Sequence, residues 1–246
     1  MCGRFGLEVP WNEIFNYFNL VEPQQMATDM PPRYNIAPTQ PIVVVAKDAI
    51  DQRKALLVRW GLVPSWVKDP KDFSLLVNAR SETAGEKPSF RNAMRHRRVL
   101  VPASGFYEWQ RFGKGQPSQA WWVRPQSGGP VAFGGLMETW ADPNGSEIDT
   151  GCILTTPAND TFLTIHDRMP LVIQPQDFER WLDCRTFSPD EVNDLIKTTD
   201  DSYFEVVPVG NAVNKAANTG REIQYRVNSV QPAIPKQEEF DQLTMF

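Results

Sequence analysis

Apolar residues in this chain fall in short blocks, and most of those blocks alternate or run continuously over four to eight positions. Trp11, Ile14, Phe15 and Phe18 are the main helical exception, so residues 11–19 are expected to form a short amphipathic helix. The stretch 31–41, PPRYNIAPTQP, reads as a proline-punctuated loop. PIVVVA (41–46) and KALLVRW (54–60) read as strands, with further strands at 73–77, 97–102, 105–110, 119–124, 131–136, 151–156 and 170–173. Thr156-Pro157 reads as a helix start, with proline at the first helical position, and 175–182 as another short helix. Ser188 followed by Glu191 is a capping box that opens a helix to about Lys197. Strands dominate and no βαβ alternation is present. The expectation is an α+β fold: one mixed domain over 1–228, built on a β-barrel-like sheet core with short peripheral helices.

Composition narrows the function. The chain has 246 residues, and its 21 prolines keep helices short because proline breaks helix interiors. Hydrophobic residues at 41% exclude wholesale disorder. No apolar run approaches the ~20 residues of a membrane span. A net charge of −5 excludes a globally basic nucleic-acid binder. The charge is uneven, however. Residues 78–100 carry six bases and two acids, and residues 190–205 carry six acids and one lysine, so the overall sign hides two opposite faces. Three cysteines form no disulfide framework, and no secretory signal opens the chain, so a cytoplasmic protein, associated with the nucleoid or replication fork, is expected. Residues 229–246 read as a polar, proline-spaced tail that closes on the apolar Gln242-Leu243-Thr244-Met245-Phe246.

Few residues carry chemistry. Cys2 follows the initiator methionine and is small enough for Met1 to be removed, which would set a thiol and an α-amine on adjacent carbons. Such a 1,2-aminothiol condenses with an aldehyde to an imine and closes to a thiazolidine; the amine, with a pKa near ~8, is partly neutral at physiological pH. The other reading of position 2 is a processed, buried terminus. Glu108 lies in GFYEW, where alternation puts Phe106, Glu108 and Gln110 on one face and Tyr107 and Trp109 on the other. A carboxylate in that setting is either ion-paired or poised for general acid–base work. His166 precedes Asp167 and Arg168, whereas His96, inside MRHRR, reads as a surface residue. The histidines and cysteines have no metal-ligand spacing, and no dinucleotide or phosphate-loop motif is present, so neither metal nor cofactor is expected. Cys152 and Cys184 read as core thiols.

Taken in order, Met1-Cys2-Gly3-Arg4-Phe5, RYNIAPTQ (33–40), WGLVPSW (60–66), NARSET (78–83), RRVLVPASGFYEW (97–109), FGGLMETW (133–140), TTPAND (155–160) and IHDRMPLVI (165–173) resemble the SOS-response-associated peptidase family of abasic-site-processing proteins, as far as about Asn214. The resemblance implies that Cys2 attacks the ring-opened aldehyde of an abasic site in single-stranded DNA and forms a covalent thiazolidine. It implies that Asn78 positions the amine and sugar oxygen, that Glu108 moves protons, and that His166 assists ring opening, imine chemistry or reversal. It implies phosphate contacts from Arg4, Arg80 and Arg168, base contacts from Trp66 and Trp109, and a kink-shaping Pro38. The same nucleophile would perform the self-cleavage behind the name peptidase. Arginines interleaved with aromatics also suit sequence-tolerant single-strand binding, with stacking contributing ~1–3 kcal/mol per base. The terminal pentapeptide resembles the bacterial sliding-clamp-binding peptide, which implies clamp contacts from Gln242, Leu243, Met245 and Phe246. Two other functions fit the residues: a cysteine peptidase or N-terminal-nucleophile hydrolase, and a non-catalytic single-strand-binding clamp adaptor.

Overall fold

A computed structural model describes residues 2–21, 30–142 and 144–229. Two sheets organise it. The first has the order β12-β8-β7-β1-β2, formed by Phe204–Val209, Gln119–Pro125, Gly105–Gln110, Arg4–Leu7 and Arg33–Ile36. The second contains β3 (Pro41–Lys47), β4 (Arg53–Trp60), β6 (Arg98–Ala103), β9 (Val131–Ala141) and β10 (Glu147–Pro157), with β5 (Asn78–Arg80) and β11 (Arg168–Pro170) added along β10. Its neighbours run β10-β9-β6-β3-β4 and return to β10 through the parallel pairs Thr150–Arg59 and Gly151–Trp60, so these five strands close into a barrel. Closure removes the free edges that an open sheet would present. The fold is α+β, as the strand-rich pattern predicts.

The helices are short and peripheral: α1 (Trp11–Phe18), α2 (Ser81–Ala84), α3 (Arg91–His96), α4 (Asp160–Leu163) and α5 (Phe178–Leu182), with 3-10 turns between several strands. Helix α1 buries Ile14 and Phe18, and Asn19 ends it in the left-handed conformation. Phe18 then stacks on Phe178 of α5 at 5.2 Å. Strand β6 is buried at all six positions, which explains why it reads as a continuous apolar run. On β7 the alternation holds. Phe106 joins the main core with Phe133, Phe162 and Phe204, while Tyr107 and Trp109 pack with Trp122, Val207 and Val213 on the other face. Gly105 opens that strand because nothing larger fits: a Cβ there would lie 2.4 Å from the Val123 carbonyl oxygen and 2.8 Å from the Trp122 ring.

Several expected elements move. Residues 33–36 are strand β2 rather than loop, with Pro32 and Pro38 flanking it. The polar Asn35 that disguises it is buried, and its Nδ2 donates to the carbonyls of Lys215 and Asn218. Residues 73–77 form no strand beyond a single Leu62–Leu76 bridge, because the preceding turn, capped by Asp69, folds Phe73 back against Trp66. Pro157 ends β10 instead of opening a helix; α4 begins three residues later, where the Asn159 side chain accepts from Phe162 N–H at 2.9 Å. The Ser188–Glu191 box forms, with Ser188 N–H and Oγ both donating to Glu191 Oε2, but it opens a 3-10 helix at Asp190–Leu195. Strand β12 contains Pro208 and was not expected; it lies at a sheet edge, where proline is tolerated.

The basic segment is also less available than its charge count suggests. Arg98 is 2% exposed. Its guanidinium donates to the carbonyls of Trp181 (2.7 Å), Met94 (3.0 Å), Phe187 (2.7 Å) and Asp183 (3.2 Å) and lies 5.8 Å over the Trp181 ring. It thereby ties β6 to α3, α5 and the turn beyond α5. Lysine cannot reproduce that planar fork. Arg98→Lys is expected to lower stability by about 3 kcal/mol, since charge-assisted bonds of ~1.5–3 kcal/mol are lost and carbonyls stay buried without donors. A urea midpoint unchanged from the parent protein would show that the fork is dispensable.

Candidate functional site

The site lies where the chain just before the N-terminal strand, itself part of the first sheet, meets the second sheet. Strand β1 is hydrogen-bonded to β7 with Arg4 opposite Tyr107 and Phe5 opposite Phe106. That register carries the residues before Arg4 toward Glu108 and Trp109. From the barrel side, β5 runs parallel to β10 with Asn78 opposite Ile153. Asn78 Nδ2 donates to the Cys2 carbonyl oxygen at 2.8 Å, so the barrel sheet grips the chain at Cys2 itself. Asn78 Oδ1 is buried and accepts no hydrogen bond among the described residues. A buried acceptor left open costs about 1–3 kcal/mol, and it offers a place for a donor that arrives later.

Cys2 is fully buried and its Sγ sits 3.8 Å from the Arg4 carbonyl oxygen. Burial pushes the thiol far above its ordinary pKa, and the charge of Glu108 pushes it the same way. The thiol is therefore protonated at neutral pH. Glu108 is 4% exposed, with Oε1 accepting from Trp109 N–H at 3.2 Å, and it faces the main core as alternation predicts. His166 sits on the loop between α4 and β11. That loop is tied to β7 by Gln110 Nε2, which donates to the Thr164 carbonyl at 2.8 Å, and by Phe162 packing on Phe106 at 5.5 Å. His166 Nδ1 accepts from Arg168 N–H at 2.9 Å and also stands 2.9 Å from Asp167 Oδ1.

The remaining expected residues divide by environment. Arg80 is exposed at the end of β5, two residues beyond Asn78. Trp66 is 58% exposed and braced edge-on by Phe73 at 5.6 Å. Trp109 Nε1 donates to Asn214 Oδ1 at 2.7 Å. Pro38 leads a tight turn in which Thr39 has φ +71° and donates its N–H to the Trp60 carbonyl at 2.8 Å. Two arginines are engaged internally. Arg4 donates to Asn35 Oδ1 and the Val213 carbonyl, both at 2.8 Å, and to the Asn214 carbonyl at 3.2 Å; its burial lowers its pKa. Arg168 is 8% exposed and forms a two-point ion pair with Glu82 and a bond to the Thr155 carbonyl. A phosphate would have to compete with those partners at either arginine. Met1 and the peptide with Gln242, Leu243, Met245 and Phe246 lie outside the described residues.

Among the described residues, no group of three or more His, Cys, Asp or Glu side chains could hold a metal ion, and no helix is long and apolar enough to cross a membrane. The family model for SOS response associated peptidase (SRAP) matches residues 1–216.

The chain belongs to the SRAP family.

Among relatives, it is 35% identical over 223 residues to abasic site processing protein YoqW of Bacillus subtilis (strain 168), covering 91% of this chain and 98% of that one. It is 28% identical over 228 residues to abasic site processing protein YedK of Escherichia coli (strain K12), again covering 91% and 98%. Mouse abasic site processing protein HMCES is 29% identical, with 89% of this chain and 74% of that one covered. A crystal structure of a Bacteroides thetaiotaomicron protein shares the fold with a TM-score of 0.80 at 22% identity, over 92% of this chain and all of that one.

In this SRAP chain several supporting residues carried no assignment from sequence. Asn35 locks Arg4 from 31 positions away, and Asn214 receives Trp109 from 105 positions away; both are polar residues in unremarkable local patterns. Glu82 was visible only as a letter of NARSET. Its bond from Arg168 holds its carboxyl below the ordinary glutamate range. A carboxyl whose folded pKa is depressed adds stability above its unfolded value and loses it as pH falls through the folded one. The stability difference between the parent protein and Glu82→Gln is therefore expected to be largest near neutrality and to vanish as the pH drops below the ordinary glutamate range. Thermal melts of both proteins across acidic pH test this; a difference independent of pH would assign the loss to packing instead.

Proposed function

We propose that this protein, with Met1 removed, captures abasic sites in single-stranded DNA by forming a thiazolidine at Cys2. The supporting observation is the setting of Cys2: gripped through its carbonyl by Asn78, buried, and close enough to Glu108 for that charge to act on its thiol. The relatives named for abasic-site processing make the sugar aldehyde the natural electrophile.

The chemistry follows in order. The Cys2 amine adds to the aldehyde carbon, and loss of water gives an imine. The Cys2 sulfur then adds to the imine carbon and closes the five-membered ring. Its proton passes to the nitrogen, with Glu108 as carrier. A thiol kept protonated by its surroundings is a poor indiscriminate nucleophile, so the amine step comes first and the thiol reacts where a carrier is at hand. The open Asn78 Oδ1 accepts from the amine. His166, on the loop joined to β7, serves ring opening of the sugar. Arg80 supplies an exposed phosphate contact, Trp66 an exposed face for a neighbouring base, and Trp109 and Pro38 shape the strand around the gap. Arg4 and Arg168 act on phosphates only through the edges their internal partners leave. The same nucleophile, beside Asn78 and Glu108, would serve peptidase chemistry on the bond that precedes it.

Untagged protein is expected to show an intact mass lacking Met1 and, with a single-stranded oligonucleotide carrying one abasic site, a heat-stable shifted band on a denaturing gel. Cys2→Ala should lose that band while keeping its affinity for undamaged strands; Cys2→Ser should lose the heat-stable product. Correctly processed protein that gives no shifted band overturns the proposal. A second, separable part of the reading is that Gln242, Leu243, Met245 and Phe246 dock in an apolar pocket of the bacterial sliding clamp, raising the local concentration of the protein at replication forks. Purified clamp is expected to retain the full chain and to lose it on deletion of 242–246; undiminished retention removes the tether.

A further inference from the structure

Two partners compete for one nitrogen of His166. Arg168 N–H donates to Nδ1 at 2.9 Å, and a nitrogen that accepts that bond carries no proton, so the neutral ring holds its proton on Nε2. Asp167 Oδ1 lies 2.9 Å from the same Nδ1 and favours the opposite arrangement, with the proton between ring and carboxylate. Asp167 is three-quarters exposed and its side chain can move with the loop. The outcome depends on where the Arg168 backbone N–H is held.

That position is fixed from outside the loop. Arg168 is the first residue of β11 and pairs with Pro157 of β10. Its side chain crosses the Thr155 carbonyl and ends in the two-point contact with Glu82, one residue into α2. Its Nε–H is buried with no acceptor among the described residues. Leaving that donor unmet costs about 1–3 kcal/mol, which the Glu82 contact must outweigh to hold the arginine in place. Glu82 follows Asn78 and Arg80 directly in the chain, so one short segment supplies both the Cys2 grip and the arginine anchor.

Resting on the abasic-site reading above, we propose that Glu82 is a positioning residue for His166. By anchoring Arg168 it keeps the Arg168 N–H on Nδ1 and the ring proton on Nε2, where the ring can donate to a sugar oxygen. No proton is transferred in this role; the carboxylate selects one tautomer. Asp167 stands beside the ring, and Arg168 on β11 links its backbone N–H on the ring to Glu82 on α2.

The test needs no DNA for its first half. Full-length protein labelled with nitrogen-15 in its two histidines, with His96→Gln assigning the signals, reports the tautomer of neutral His166. The parent protein is expected to show the Nε2–H form. Glu82→Gln, and independently Arg168→Lys, should raise the Nδ1–H share several-fold, and adding Asp167→Asn to Glu82→Gln should restore Nε2–H. Capture of the abasic oligonucleotide by Glu82→Gln should slow by about tenfold, less than the ~10²–10⁴-fold of a lost acid–base group because the tautomer is shifted and the ring is kept, and recover with the tautomer in the double variant. Folded Glu82→Gln and Arg168→Lys proteins with unchanged Nε2–H overturn the proposal, as does a shifted tautomer with unchanged capture. A parent protein that captures nothing defeats the abasic-site reading instead, while the tautomer of the Glu82 variant still decides whether the anchor works.

Discussion

Trp60 is the buried wedge on which the rest of the site depends. It ends β4 at the point where the barrel closes onto β10, and its ring packs edge-on against Phe5 of β1 at 5.1 Å. Its Nε1 donates to the Val77 carbonyl at 3.0 Å, immediately before Asn78. Its backbone accepts from Thr39 and donates to Gln40, which docks the Pro38 turn. The indole therefore sets the separation between the Cys2 strand and the Asn78 strand, and the backbone of the same residue holds the Pro38 turn. A smaller aromatic at this place would keep much of the apolar burial but lose the Val77 bond, which aligns β5 with β1. Closing the barrel is what makes such a fixed point possible, because none of its five strands can slide without opening the ring.

The burial of Cys2 looks unfavourable for a nucleophile until the order of events is considered. A depressed thiol pKa would supply thiolate at all times and invite oxidation and side reactions. Here burial and the Glu108 charge push the thiol up instead. On the proposed chemistry the amine makes the first contact, so reactivity toward the sulfur is conferred by the substrate already being attached. On that reading the cost is borne by geometry: the thiol, the amine and the proton carrier would have to be aligned in advance, and the Asn78 bond to the Cys2 carbonyl holds the residue that carries the first two.

The sequence carried the central strands and helix α1 clearly, because β3, β4, β6 and β7 have dense β-branched or alternating patterns and α1 has its apolar stripe. It carried the face of Glu108 for the same reason. It failed where a tertiary contact reverses a local signal. Asn35 makes β2 look like loop until its side chain is seen satisfying backbone carbonyls from residues 215 and 218. Pro157 looks like a helix opener until its missing N–H is placed at the end of a strand. Arg98 and Arg168 look like solvent-facing cations, yet both are buried by partners far along the chain. Motif order brought Cys2, Asn78, Glu108 and His166 to attention, but the Arg168–Glu82 pair links positions 86 residues apart and no local pattern signals it.

These internal arginines change how nucleic-acid affinity must arise. Of the bases between 78 and 100, Arg98 is inside the fold and Arg97 faces Glu138 and Asp149, leaving Arg80, Lys87, Arg91 and Arg95 exposed. Arg91, Arg95 and His96 share a cleft of about 760 Å³ with Asp190 and with Glu82 and Glu86, so the basic and acidic regions meet across one groove rather than on separate faces. Fewer cations of that segment then remain to release counterions, and on the proposed reading single-strand binding with few phosphate contacts would depend weakly on salt. On that reading such a surface would hold undamaged strands loosely and let them go. On the proposed reading that weakness is useful: the covalent bond at Cys2, formed only where a base is missing, supplies the residence time that charge does not, and the protein leaves intact DNA free.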